Sequence, residues 1–150
     1  MDTPHKETYE FLKNHTCGVL STASKEGKPW GAAIYYAADE QLRIYFLTHK
    51  GSRKFENIDE HPQAALTVVD NDAQTTVQAA GTVELVPIGN EHDEAYRMLV
   101  QIHPPGEYRW VPPVSKLHDG EIMLCRFTPQ HLQLSTFDPD KSKADVHKII

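Results

Sequence analysis

Residues 42–48, Leu42-Arg43-Ile44-Tyr45-Phe46-Leu47-Thr48, constrain the architecture more than any other part of this chain. The run contains no turn former and, apart from Arg43, is apolar at odd and even positions alike. Successive side chains of a strand point to opposite faces, so this strand needs cover on both. It belongs at the centre of a sheet or barrel and not at an edge.

Shorter strands surround it. Residues 17–23, 29–37, 63–69, 75–86, 121–127 and 132–137 read as six more, separated by turn formers such as Ser24-Lys25-Glu26-Gly27-Lys28 and Asp70-Asn71-Asp72-Ala73. Gly81 inside the 75–86 strand marks a bulge or a close backbone approach. Helices are predicted from Thr3-Pro4 to about Asn14, over 50–61 with Phe55 and Ile58 inward, and over 90–101 with an Asn90 cap. Residues 103–119 form a long Pro-rich loop carrying Tyr108 and Trp110, and 138–150 a loose polar tail. Seven short antiparallel strands joined by tight turns predict a mainly β fold, a β-barrel with peripheral helices, in one domain over 1–150.

Composition narrows the function. A formal net charge of −6 argues against a general nucleic-acid binder, which needs a basic face for phosphates. No apolar run reaches the roughly 20 residues of a spanning helix, and the N-terminus shows no apolar stretch after its charges. The expected compartment is the cytoplasm. Cys17 and Cys125 lie in strand-like apolar runs at no metal-ligand spacing, and both are expected as reduced core thiols. The nine histidines are scattered, so no metal site is expected.

The chemistry concentrates at Phe46-Leu47-Thr48-His49-Lys50-Gly51-Ser52-Arg53-Lys54. A buried strand ends at Thr48, Gly51 permits a tight turn, and Ser52 stands at the N-cap of the next helix. The first turn of a helix leaves backbone N–H groups unpartnered, and the macrodipole adds positive charge there. A phosphate fits such an end. Arg53 adds a planar fork and Lys54 a point charge. The competing reading is an ordinary cap with solvated basic residues. Basic groups in a first turn oppose the dipole, however, so a purely structural helix gains nothing from them.

This stretch resembles the phosphate-binding segment of the flavin-mononucleotide split-barrel superfamily named for pyridoxamine 5'-phosphate oxidase, and the chain looks most like its general-stress-protein-like members. Thr48, Ser52, Arg53 and Lys54 match position by position. Ala80-Gly81-Thr82-Val83-Glu84 and Arg126-Phe127-Thr128-Pro129 are similar to later motifs of the family. The resemblance implies a split β-barrel of six to seven strands and a homodimer with flavin at the subunit interface. It implies FMN as cofactor, with the ring near backbone groups of Ala32, Ala33 and Ile34 and near Thr76 and Gln78. Trp110 is then a candidate cover from the partner subunit, or packs back on its own barrel. Trp30 and Tyr35 have rings that could stack near the flavin, and Trp30 has equally the character of a core residue. No basic residue stands at either end of 30–35, unlike the named oxidase, so pyridoxamine phosphate is not the expected substrate. The expected function is an FMN-dependent oxidoreductase acting on a small molecule, with a nicotinamide nucleotide as electron donor. The alternatives are a non-catalytic, stress-related flavin-binding protein and a haem- or deazaflavin-binding split barrel.

Overall fold

The structure, a computed structural model, describes residues 2–102 and 120–150. Its elements run α1 (Thr3–Asn14), β1 (Cys17–Ala23), β2 (Pro29–Ala38), β3 (Ile44–His49), α2 (Arg53–Glu60), β4 (Gln63–Asp70), β5 (Thr75–Leu85), α3 (Asn90–Ile102), β6 (Ile122–Thr136) and β7 (Asp145–Lys148). All strand pairings are antiparallel, in the order β3-β2-β1-β4-β5-β6, and β6 returns to β3 to close a six-stranded barrel. The fold is the expected split barrel. β3 is buried on both faces, because its inward side chains fill the barrel and its outward ones meet α3.

β6 accounts for the two departures from the expected strand set. It is one strand of 15 residues, where two strands are expected. Its first half pairs with β3 over Ile122–Phe127, and its second half pairs with β7 over Gln133–Thr136. Both halves share β5 on the other edge, with a register shift at Ala80/Gly81 opposite Pro129. Proline cannot donate to the ladder, so a bulge there removes a demand it could not meet. Gly81 is required by space. A Cβ on it would stand 2.0 Å from the Thr128 carbonyl oxygen. The second departure is the tail. Residues 145–148 add a strand to the edge of β6, and Ile149 and Ile150 continue with backbone bonds to Leu132. A polar composition there hid an edge strand, which needs only one apolar face or none.

Two local expectations are corrected. Leu42 lies outside β3, in the turn, at φ 63°, and its full burial holds it in that left-handed conformation. Cys17 is exposed at the start of β1, while Cys125 is buried and its thiol is pushed up to about 12 by burial. The Cys17 side chain falls on the outward face of its strand, which the apolar run around it does not reveal.

α3 is pinned to the barrel by charge as well as packing. Arg126 on β6 donates to Glu91 at 2.5 Å and to Glu84 at 2.6 Å. The Tyr45 hydroxyl reaches the same Glu91 carboxylate at 3.0 Å. The Arg126 hydrogen bond, with help from Tyr45, holds the Glu91 carboxyl below the ordinary glutamate pKa.

Candidate functional site

The loop from β3 to α2 is built from hydroxyl bonds. Ser52 caps α2, its Oγ accepting from the Phe55 amide at 3.1 Å. The same hydroxyl donates to the His49 carbonyl at 2.8 Å and lies 3.0 Å from the buried Thr48 hydroxyl. With its proton on His49, Ser52 must accept from Thr48, so both hydroxyls are engaged within the loop. Thr48 and Ser52 therefore shape the turn. Left without a hydrogen bond among the described residues are the backbone N–H of Arg53 and Lys54, beside three cations: Lys50 and Arg53 are exposed, and Lys54 is half-buried near Cys125. None of the three forms an ion pair among the described residues. Burial of the ammonium lowers the Lys54 pKa from the ordinary lysine value, and the neighbour that acts against this is the Cys125 thiol and not a carboxylate. A half-buried ammonium without a counter-charge suits an anion.

Arg53 is placed by aromatic stacking. Its guanidinium lies over the Trp30 ring, 4.4 Å from the centroid. Trp30 is 41% exposed, so it is a rim residue and not part of the core. The same helix is anchored by Asn57, whose Nδ2 donates to Thr22 Oγ1 at 3.0 Å in a buried bond.

Beside this corner runs an open backbone edge. β2 pairs with β1 from Pro29 to Tyr35, but β3 takes up its other edge only at Tyr36–Ala38. Alternate backbone groups between Trp30 and Ile34 thus lack a sheet partner, at the position of Ala32, Ala33 and Ile34. This split in the ladder could not be read from the sequence, because it depends on where β3 stops pairing. Ala32 and Ile34 turn inward, and Ala33 turns outward.

Thr76 and Gln78 do not join this corner within one copy. Gln78 shares an outward row with Ala33, Val19, Thr67, Gln133 and Lys148. Three strand steps separate it from Ala33, about 14 Å along the sheet. Its side chain is bonded to Gln133 at 2.7 Å. The neighbouring row runs Gly31, Ser21, Ala65, Ala80 and His131. Of these eleven residues only Lys148 carries a fixed charge. An open groove of about 470 Å³ follows the face between Ala65, Gln78, His131, Lys148 and Ile150. Trp110 lies outside the described residues. Among those described, no three His, Cys, Asp or Glu side chains gather as metal ligands would, and no helix is long and apolar enough to cross a membrane.

Comparison with known proteins agrees with the fold. The family model for pyridoxamine 5'-phosphate oxidase matches residues 4–118. The pyridoxine/pyridoxamine 5'-phosphate oxidase of Coxiella burnetii is 29% identical over 110 residues, 73% of this chain and 55% of that protein. That of Salinibacter ruber is 25% identical over 115 residues, 75% of this chain and 51% of that protein. The chain thus spans about half the length of the curated relatives it matches. Among solved structures, a heme binding protein from Mycobacterium smegmatis superposes with TM-score 0.71 at 17% identity, over 99% of this chain and 59% of that one. A pyridoxamine 5'-phosphate oxidase-related, FMN binding protein from Nostoc punctiforme gives TM-score 0.60 at 14% identity, over 97% and 93%. An F420 reductase gives TM-score 0.63 at 25% identity, over 83% and 94%. The first two likenesses are of fold alone. The family match takes in well over half of the sequence, and on that ground the chain belongs to the pyridoxamine 5'-phosphate oxidase family.

Proposed function

We propose that the chain binds flavin mononucleotide, with its phosphate at Ser52-Arg53-Lys54, and works as a flavin-dependent oxidoreductase on a small molecule. The observation that carries this reading is the group of three cations, Lys50 in the turn before α2 and Arg53 and Lys54 in its first turn, none of them in an ion pair among the described residues and Lys54 half-buried. A dianionic phosphate meets two free backbone N–H groups, a guanidinium fork and an ammonium there. Thr48 and Ser52 fix the loop that presents them. The open edge of β2 lies beside the phosphate position, so unpaired backbone groups near Ala32, Ala33 and Ile34 are placed to meet the polar rim of a flat ring. When bound, the flavin supplies the electron transfer, with a nicotinamide nucleotide as the proposed donor; the protein positions the ring and sets its surroundings.

Thr76 and Gln78 are assigned to the flavin held by a second copy, because about 14 Å of sheet separates Gln78 from Ala33 in one copy. The almost uncharged outward rows, with Val19 46% exposed and Val69, opposite Thr76 in the next row, 57% exposed, support pairing of two copies on this face. Trp110 is kept in the proposed set as a cover for the ring. A second reading is a deazaflavin site, favoured by the likeness to an F420 reductase.

Purified protein equilibrated with FMN, then with a deazaflavin or haemin, and passed through gel filtration tests the choice. The proposal expects FMN to co-elute at one per chain. A protein that retains only haemin or only deazaflavin, or none of the three, contradicts it.

A further inference from the structure

We propose that Trp30 is a positioning residue for anion binding: its indole shelves the Arg53 guanidinium so that the in-plane N–H groups face the phosphate position. The inference rests on the flavin-phosphate reading above and assigns the residue that makes Arg53 ready for it.

The docking of α2 supplies the argument. Thr22 and Trp30 are cross-strand partners, and directly opposed side chains share one face of a ladder. Arg53 and Asn57 are four apart on α2 and share one face of that helix. The two pairs meet. Asn57 donates to Thr22 in the buried bond, and one turn earlier Arg53 lies over Trp30 at the rim. The Asn57 bond fixes where the helix sits. The Trp30 stack then fixes one side chain on that helix. The indole covers one face of the guanidinium and leaves its N–H edges free, and those edges are what a phosphate uses. An exposed arginine with no carboxylate partner otherwise samples many rotamers, and ordering it on binding costs free energy. The indole holds it in place beforehand.

Flavin fluorescence titrations with FMN and with riboflavin, which lacks the phosphate, separate this role from direct contact with the ring. Trp30→Ala is expected to weaken FMN roughly tenfold, the scale of a lost cation–π contact. Riboflavin affinity is expected to change by less than about twofold, and Trp30→Phe to retain most of the FMN affinity, since a ring still supports the cation. In an Arg53→Ala background, Trp30→Ala should add less than about twofold, because coupled residues are not additive. Equal weakening of FMN and riboflavin would place the indole against the flavin ring and overturn the proposal. So would full additivity with Arg53→Ala. Wild-type preference for FMN with an unchanged Trp30→Ala variant sinks the positioning role alone. A wild-type protein that binds neither flavin, or both alike, sinks the phosphate reading and this role with it.

Discussion

At the scale of residues, Gly81 and Ser52 set the backbone on which the charged residues act. Gly81 exists because the bulge of β6 brings the Thr128 carbonyl to the place a Cβ would fill. Gly81→Ala is expected to cost about 1–3 kcal/mol of unfolding free energy, since the atoms it meets are backbone and cannot rotate away. Urea denaturation measures it, and a loss below about 0.5 kcal/mol would contradict the account. The bulge was legible from a glycine inside an apolar alternation. The capped, basic start of α2 was legible from Ser52, Arg53 and Lys54, because cap chemistry and charge are local. What the sequence could not disclose is that the Ser52 hydroxyl is already committed to His49, Phe55 and Thr48. Nor could it disclose that Arg53 stacks on Trp30, 23 positions away in sequence. Both depend on how α2 docks. Cys17 fell on a face that strand periodicity allows in either sense, since a slip of one residue exchanges core and solvent, whereas Trp30 keeps the inward parity of Ala32 and Ile34 and is exposed because it stands at the rim.

At the scale of elements, β3 and α2 were read from their own residues, and their bounds differ from expectation by only a few positions. β6 and β7 were not. An uninterrupted strand through Pro129 contradicts the usual punctuation by proline, and it stands only because Gly81 accommodates the bulge. α3 depends on a long-range pin that no local pattern announces, the Glu91–Arg126 pair across 35 residues. This pin makes a pH prediction. The Glu91 carboxyl sits below its unfolded value of 4.5, chiefly through the Arg126 hydrogen bond. Its stabilising contribution is therefore complete above that value and disappears as the pH falls through the lower folded pKa. Glu91→Gln should lower stability at neutral pH and flatten the decline between about pH 5 and pH 3. Thermal melts across that range check it, and a variant whose curve parallels the wild type throughout would contradict the assignment.

For the molecule as a whole, a closed barrel with one nearly uncharged outward face places the proposed cofactor corner at one edge and polar side chains that cannot reach it at the other. Two copies joined on that face, as proposed above, would bring them together. Thr67 lies in the middle of the outward row, between Val19 and Gln78. Thr67→Arg is expected to give a monomer in sedimentation velocity where the wild type is a dimer, with fold stability changed by only about 0.5 kcal/mol. A wild-type monomer at micromolar concentration would contradict the arrangement. The central claim is narrower, that Arg53 and Lys54 hold a flavin phosphate, and calorimetric titration of FMN and riboflavin into wild type and the Arg53→Ala/Lys54→Ala double variant tests it most directly. The account predicts that wild type prefers FMN and that the double variant loses about 3–6 kcal/mol of FMN affinity, two charge-assisted bonds, while riboflavin affinity hardly moves. Equal affinities for FMN in the two proteins would contradict it.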